Sequence, residues 1–311
     1  MGSRTGGRVL ITGGGGFIGS AVVKAFRSRG IPVTVVDRQT PDGARDGVTH
    51  VVGDLREIHV RDEAVAPDTS AIIHLAALTS VLRSVERPAQ TYADNVAVTQ
   101  ELLELARVRG VGTFLLASTN AVVGDVGTAV ITEQLPLRPL TPYGATKAAC
   151  EMLLSGYAGA YGMTACALRF SNVYGPGMAQ KDSFVPRLMR AALTESTVQI
   201  YGDGSQRRDL VHVDDVARGV LLGWESGYTG SAIVGSGTSV SVLDLVDTVR
   251  RVTERPLRTE HVAAQHGEMP AVVVDLSHSA DVLGYRPEVD LADGLASTWR
   301  YFRDEVPGAT A

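Results

Sequence analysis

Residues 8 to 20 read RVLITGGGGFIGS: a short apolar run, a glycine cluster, and the start of an amphipathic stretch through Ala21, Val22, Val23, Ala25 and Phe26. A strand that turns through glycine straight into a helix is the context a dinucleotide fingerprint requires. Gly13 makes the tight turn, Gly16 admits backbone amides to a pyrophosphate at the helix N-terminus, and Gly19 lets the helix pack on the strand. The next apolar run, Ile31 to Val36, ends at Asp37, eighteen residues beyond Gly19. An acid at that point accepts ribose hydroxyls and repels a 2′-phosphate, so the spacing predicts NAD rather than NADP, with Arg38 partly offsetting the repulsion. A glycine-rich turn alone also fits an ordinary loop. The strand, the acid and the second strand at Val48 to Val52 favour the dinucleotide.

Further along, TPYGATKAACE at 141 to 151 sets Tyr143 and Lys147 four residues apart at the start of an expected helix, so both side chains share one face. A phenol acts as a base at neutral pH only if a nearby cation stabilises its phenolate, and an ammonium one turn away can do so. Only three of the 29 basic residues are lysine, and Lys147 is one of them. Taken alone, the pair fits a surface helix better than a catalytic one.

Strand and helix patterns alternate through the first 170 residues, with strands expected near 8 to 12, 32 to 36, 48 to 52, 71 to 75, 113 to 118 and 164 to 169. This is the pattern of an α/β fold built on a doubly wound parallel sheet. After Gly175-Pro176-Gly177 the texture changes to what reads as short helices and loops. Val213 to Trp224 reads as a helix and Ser231 to Val234 as one more strand. The net charge of −5 and the lack of a basic run give no footprint for nucleic acid. No apolar stretch reaches membrane-spanning length. The first residues, MGSRTGG, lack the apolar core of a secretory signal and the Ser or Thr of a myristoylation site. The two cysteines, Cys150 and Cys166, are read as reduced thiols of a cytoplasmic protein. No His/Cys/Asp cluster has metal-ligand spacing, so no metal is expected.

Beside the glycine motif and the Tyr143–Lys147 segment, seven segments in order carry a resemblance: GDL at 53 to 55, HLAAL at 74 to 78, DNV at 94 to 96, LLASTNAVVGD at 115 to 125, LRFSNVYGPG at 168 to 177, IYGDGSQRRDLVHVDD at 200 to 215 and GLASTWRYF at 294 to 302. Over nearly its whole length the chain resembles the extended short-chain dehydrogenase/reductases of the nucleotide-sugar epimerase/dehydratase family. The resemblance implies a Rossmann domain from 1–171 and 209–236, and a smaller C-terminal α/β substrate lobe from 172–208 and 237–311. It assigns Gly13, Gly16, Phe17, Ile18, Asp37, Arg38, Asp54, Leu55, Leu75, Ala76, Ala77, Asn95, Tyr143 and Lys147 to NAD. Thr119, Tyr143 and Lys147 become the catalytic residues. Arg83, Ser84, Thr119, Asn120, Asn172, Phe184, Val185, Tyr201 and Arg208 fall to a nucleotide-sugar substrate. For Phe184 and Val185 plain core is the simpler reading of the residues themselves, and for Arg83 and Ser84 a solvated loop fits equally well. His212 and His266 read as structural or exposed. Helices near 89 to 109 and 143 to 161 imply a homodimer through four helices.

Dehydratases of this family follow the threonine with Asp and Glu, which eliminate water, and the decarboxylases usually keep a Glu at the second position. Here Asn120 and Ala121 stand instead. The expected reaction is therefore 4-epimerisation of a UDP-sugar or similar substrate through a transient 4-keto sugar, with no net redox change. A decarboxylase or dehydratase, a ketoreductase of a sugar or specialised metabolite, and a non-catalytic NAD sensor remain as alternatives. Two departures from the family bear on the substrate: Gln265-His266-Gly267-Glu268 replaces a phosphate-binding arginine motif, and Val123 and Val272 replace bulkier side chains, which predicts extra pocket room.

Overall fold

The computed structural model of the chain describes residues 7–39, 47–263 and 270–305. In its first half lie β1 (Arg8–Thr12), α1 (Phe17–Ser28), β2 (Val33–Asp37), β3 (Val48–Val52), α2 (Ile58–Ala64), β4 (Thr69–His74), α3 (Val81–Glu86) and α4 (Pro88–Tyr92). A π-helical turn, Ala93–Ala97, passes without a break into α5 (Val98–Val108), then β5 (Thr113–Thr119), a 3₁₀ turn at Asn120–Val122, β6 (Val130–Ile131), α6 (Pro142–Tyr161) and β7 (Thr164–Phe170). The second half holds β8 (Asn172–Tyr174), α7 (Phe184–Thr194), β9 (Thr197–Tyr201), β10 (Arg207–His212), α8 (Val213–Ser226), β11 (Gly230–Val234), β12 (Ser239–Ser241), α9 (Val242–Thr253), β13 (Arg258–Val262), β14 (Val273–Val274), α10 (Ser277–Leu283) and α11 (Leu291–Glu305).

Seven strands form one sheet in the order β11-β7-β5-β4-β1-β2-β3, every pair parallel. Strands covered on both faces need apolar side chains at every position, and the run Val9, Leu10, Ile11 supplies them. Alternation divides that run. Val9 and Ile11 join Val35, Ile73, Leu168 and residues of α1 and α8 in one core, while Leu10 joins Val36, Ile72, Phe114 and residues of α2, α5 and α6 in the other. The strand order reverses between β1 and β4. Ligands of open parallel sheets bind outside the carboxyl ends of the strands at such a reversal.

Helix α8 packs against α1, and β11 pairs with β7, so this late segment completes the large sheet. The remainder differs from the expected short helices and loops. Helices α7, α9 and α11 run to 11, 12 and 15 residues. Their apolar stripes, with Leu188, Met189, Leu245, Val249, Trp299 and Phe302, form a separate core. Charged residues between the apolar positions hide these stripes from a composition-based reading. Three small sheets, β12-β10-β8, β13-β9 and β14-β6, connect the pieces. Among the described residues no helix is long and apolar enough to cross a membrane.

The α1 crossing is the tightest point of this architecture. A Cβ on Gly19 would stand 2.0 Å from the Gly13 carbonyl oxygen. Gly19→Ala is therefore expected to lower stability by about 1–3 kcal/mol and to weaken NAD binding, read by thermal melting and calorimetric titration.

Candidate active site

Gly13 has φ +69°, and a Cβ there would lie 2.9 Å from the Ala76 amide nitrogen. Glycine thus brings the end of β1 against the backbone that follows β4. The Thr12 hydroxyl fixes the same junction: it accepts the amide protons of Leu75 and Ala76, both at 3.1 Å, and donates to His74 Nδ1 at 2.7 Å. Burial pushes His74 down to about 3, and the Lys147 charge acts in the same direction, so the imidazole is neutral. Gly15 and Gly16 stay exposed at the head of α1, followed by the partly buried Phe17 and Ile18. Asp37 closes this loop, its Oδ2 accepting the Gly15 amide at 3.0 Å and its Oδ1 the Arg38 amide at 2.7 Å. A side-chain-free turn at the N-terminus of a 12-residue helix, with a carboxylate beside it, fits a dinucleotide pyrophosphate and ribose.

Arg38 turns away toward Asp54 and Asp94. Arg56 binds the same acids, and its hydrogen bonds hold the Asp54 carboxyl down at about 2. Leu55 is buried beneath.

Helix α6 starts with Thr141 as its N-cap, accepting the Gly144 amide at 3.2 Å, and with Pro142 in the first turn. The Tyr143 amide, which has no partner within the helix, is taken by Ser84 Oγ at 3.1 Å. Ser84 is fully buried and donates its own proton to the Val81 carbonyl, so it sits beneath the start of α6 rather than on a substrate surface as the sequence suggested. Asn95 clamps the same region. Its amide bonds both the N–H and the C=O of Leu78 and reaches Thr146 Oγ1 at 3.1 Å, while the Thr146 hydroxyl donates to the Tyr143 carbonyl. Ala77 lies in this partly buried post-β4 segment.

Thr119 ends β5, its hydroxyl accepting the Ala121 amide and hydrogen-bonded to the Tyr143 phenol. Ser118 faces the other way and donates to Glu151, as strand alternation requires. Lys147 is buried, with Nζ donating to the Ala117 carbonyl at 2.8 Å. Burial pushes its ammonium down and Glu151, one turn on, pulls it back up. Burial drives the Tyr143 phenol up to about 12 in the protein alone, against the smaller downward pull of Thr119. Burial keeps this group a phenol at neutral pH in the protein alone.

The substrate-side residues are more scattered. Asn120 is buried and donates to Ser171 Oγ at 3.1 Å. Ser171 is bonded in turn to the buried Asp209, which also accepts from Ser236. Asn172 is exposed at the start of β8 and donates to the Asp209 carbonyl. Arg83 is exposed on α3. Phe184 is partly buried at the head of α7, whereas Val185 is inside the lobe core. Tyr201 ends β9 with its carbonyl accepting from Gln206, and Arg208 lies partly buried on β10. Val123 and Val272 are both buried in one apolar cluster with Val122, Ile131 and Val274. His212 caps α8, taking the Asp214 amide, while Gln265 and His266 lie outside the described residues. Among the described residues no group of three His, Cys, Asp or Glu is placed to hold a metal. The sequence reading passed over Thr12, Thr141, Ser171 and Asp209. Only Thr141 carried a local signal, its place before a proline.

Residues 9–234 match the model of the NAD dependent epimerase/dehydratase family. The chain belongs to that family. Its NAD is the cofactor that the glycine turn and Asp37 fit. A dTDP-glucose 4,6-dehydratase of an Actinoplanes strain is 34% identical over 313 residues, covering 95% of this chain and 98% of the relative. Among solved structures, MoeE5 in complex with UDP-glucuronic acid and NAD matches at 36% identity and TM-score 0.88, covering 96% of this chain and 99% of its own. A UDP-glucose 4-epimerase from Thermotoga maritima, solved with UDP-glucose, matches at 30% identity and TM-score 0.90, covering 95% and 98%.

A phenol raised to about 12 by its surroundings gives a direct readout. In cofactor-stripped protein, the phenolate absorbance that distinguishes wild type from Tyr143→Phe is expected only near or above that pH. A step between pH 6 and 9 in stripped protein contradicts the geometry. With NAD bound the step should move down, so the rate should rise with pH as the base form fills.

Proposed function

We propose that the protein catalyses NAD-dependent 4-epimerisation of a nucleotide-diphosphate sugar, with a UDP-linked hexose as the leading substrate class. The observation that carries this reading is the Thr119–Tyr143 hydrogen bond beside two residues, Asn120 and Ala121, that have no ionisable group. Bound NAD supplies reversible hydride acceptance at the sugar carbon. Tyr143 then takes the proton of the adjoining hydroxyl, Thr119 orients that oxygen, and Lys147, one helical turn on, holds the nicotinamide ribose. Elimination needs an acid and a base near C5 and C6. The buried carboxylates next to these strand ends are committed elsewhere, Glu151 to Arg169 and Ser118, and Asp209 to Ser171 and Ser236. With no group to expel water, the keto sugar can only reorient and be reduced from its other face.

A 4,6-dehydratase is the second reading, favoured by the identity to the Actinoplanes relative. The two separate in D₂O. Epimerisation returns the same hydrogen to C4 and leaves carbon free of deuterium, whereas elimination places solvent deuterium at C5 or C6. Incubation with UDP-, dTDP- and GDP-sugars without added NAD should give C4 epimers of at least one. Deuterium on carbon promotes the dehydratase, released CO₂ a decarboxylase, and stoichiometric NADH a net dehydrogenase. No conversion of any sugar, with NAD bound, promotes the sensor. Tyr143→Phe should keep its fold and NAD while turnover falls by roughly 10²–10⁴-fold.

We also propose a cytoplasmic homodimer. Tyr92, Met152 and Tyr161 are 58%, 58% and 57% exposed on the α4–α5 and α6 surfaces, large apolar groups that a second copy can cover. Light scattering at micromolar concentration should give twice the 32.8 kDa chain mass. Met152→Glu with Tyr92→Glu should give the monomer mass.

A further inference from the structure

Two arginines and two aspartates at the far end of the sheet have no part in proton transfer. Arg38 Nε lies 3.2 Å from Asp54 Oδ2 and its Nη2 lies 3.4 Å from Asp94 Oδ1. Arg56 spans the same acids, with Nη2 2.7 Å from Asp54 Oδ2 and Nε 3.5 Å from Asp94 Oδ1. Three separate segments contribute: the end of β2, the turn after β3, which carries both Asp54 and Arg56, and the π-helical turn between α4 and α5. The charges cancel, but the burial is unequal. The arginine side chains are 55% and 48% exposed, whereas that of Asp94 is 6% exposed. A carboxylate held that far from water requires compensating cations, and Asp94 draws on both guanidinium groups.

The quartet adjoins the carboxylate that reads the adenosine ribose. Asp37 is fixed by the Gly15 and Arg38 amides, and the Arg38 side chain leaves from the residue immediately after it. A phosphate on the ribose oxygen that Asp37 reads would fall beside Arg38. Arginine at this place ordinarily accommodates a 2′-phosphate. We propose that Asp94 is a positioning residue for cofactor choice: by neutralising and tethering Arg38 and Arg56 it denies both cations to a 2′-phosphate, and so reinforces the preference for NAD that Asp37 sets. Asp37 repels the phosphate, and Asp94 removes the attraction that would offset this. The inference concerns the cofactor alone and holds whichever sugar reaction the enzyme performs.

Asp94→Asn in the full chain, stripped of cofactor and titrated calorimetrically with NAD and NADP in competition, tests this. The NADP:NAD affinity ratio should rise about fivefold to tenfold at low salt, the scale of one uncompensated charge near the surface, and the gain should shrink as salt is added. In a background carrying both Arg38→Gln and Arg56→Gln the same change should give no gain. An unchanged ratio, or equal weakening of both cofactors, would overturn the proposal and leave Asp94 a structural anchor. Arg56→Gln tests the charge balance from the exposed side, without disturbing a buried group. It should shift the ratio several-fold further toward NAD, and a shift toward NADP or no shift would equally overturn the proposal.

Discussion

The Thr12 hydroxyl sits where the two central strands part. It accepts two amides of the chain leaving β4 and donates to His74, so all its hydrogen-bonding capacity joins β1 to β4. From this junction the connections leave to opposite faces of the sheet, which opens a crevice between the glycine turn on one side and the Leu75–Leu78 segment on the other. The candidate site is arranged around that crevice. Asp37 closes the glycine-turn end, Asn95 pins its post-β4 wall to α6, and the end of β5 presents Thr119 to Tyr143.

The large sheet was legible because each strand is a short, nearly unbroken apolar run bounded by a turn. The observed bounds of β1 and β3 coincide with those read from sequence, and those of β2, β4, β5 and β7 shift by one or two residues. Thr119, Tyr143 and Lys147 were singled out through the family resemblance rather than by spacing alone, and the structure brings Thr119 and Tyr143 together. The substrate lobe was less legible. Its β10 begins Arg-Arg-Asp, which masks the strand, and its strands pair with partners remote in sequence, as β13 does with β9. Ser84 and Val185 illustrate a different limit. A motif places a residue near a site but does not say which way its side chain points, and both point into protein.

The electrostatics of Tyr143 in the protein alone were not legible in the spacing. Lys147 lies one helical turn on, but its ammonium donates to the Ala117 carbonyl and burial dominates the phenol. Desolvation depends on everything packed around a group, and no local pattern reports it. In the proposed reaction such a tyrosine would become a base only when further positive charge arrives with the cofactor, which would tie proton abstraction to the presence of the hydride acceptor.

Arg169 and Glu151 form a bidentate pair with both side chains 4% exposed, joining β7 to α6 one turn beyond Lys147, and Ser118 of β5 donates to the same carboxylate. Losing one partner of such a pair leaves a bare charge in a low-dielectric interior, a cost of about 3–5 kcal/mol, whereas exchanging both for apolar residues can be neutral. Drift at these positions is therefore coupled: a lineage can cross from the charged to the apolar solution only by changing both sites nearly together. The pair also acts as an index pin, since sliding α6 along the sheet would strand Glu151 opposite the wrong strand residues. The register of α6 is thereby fixed as a unit with β5 and β7.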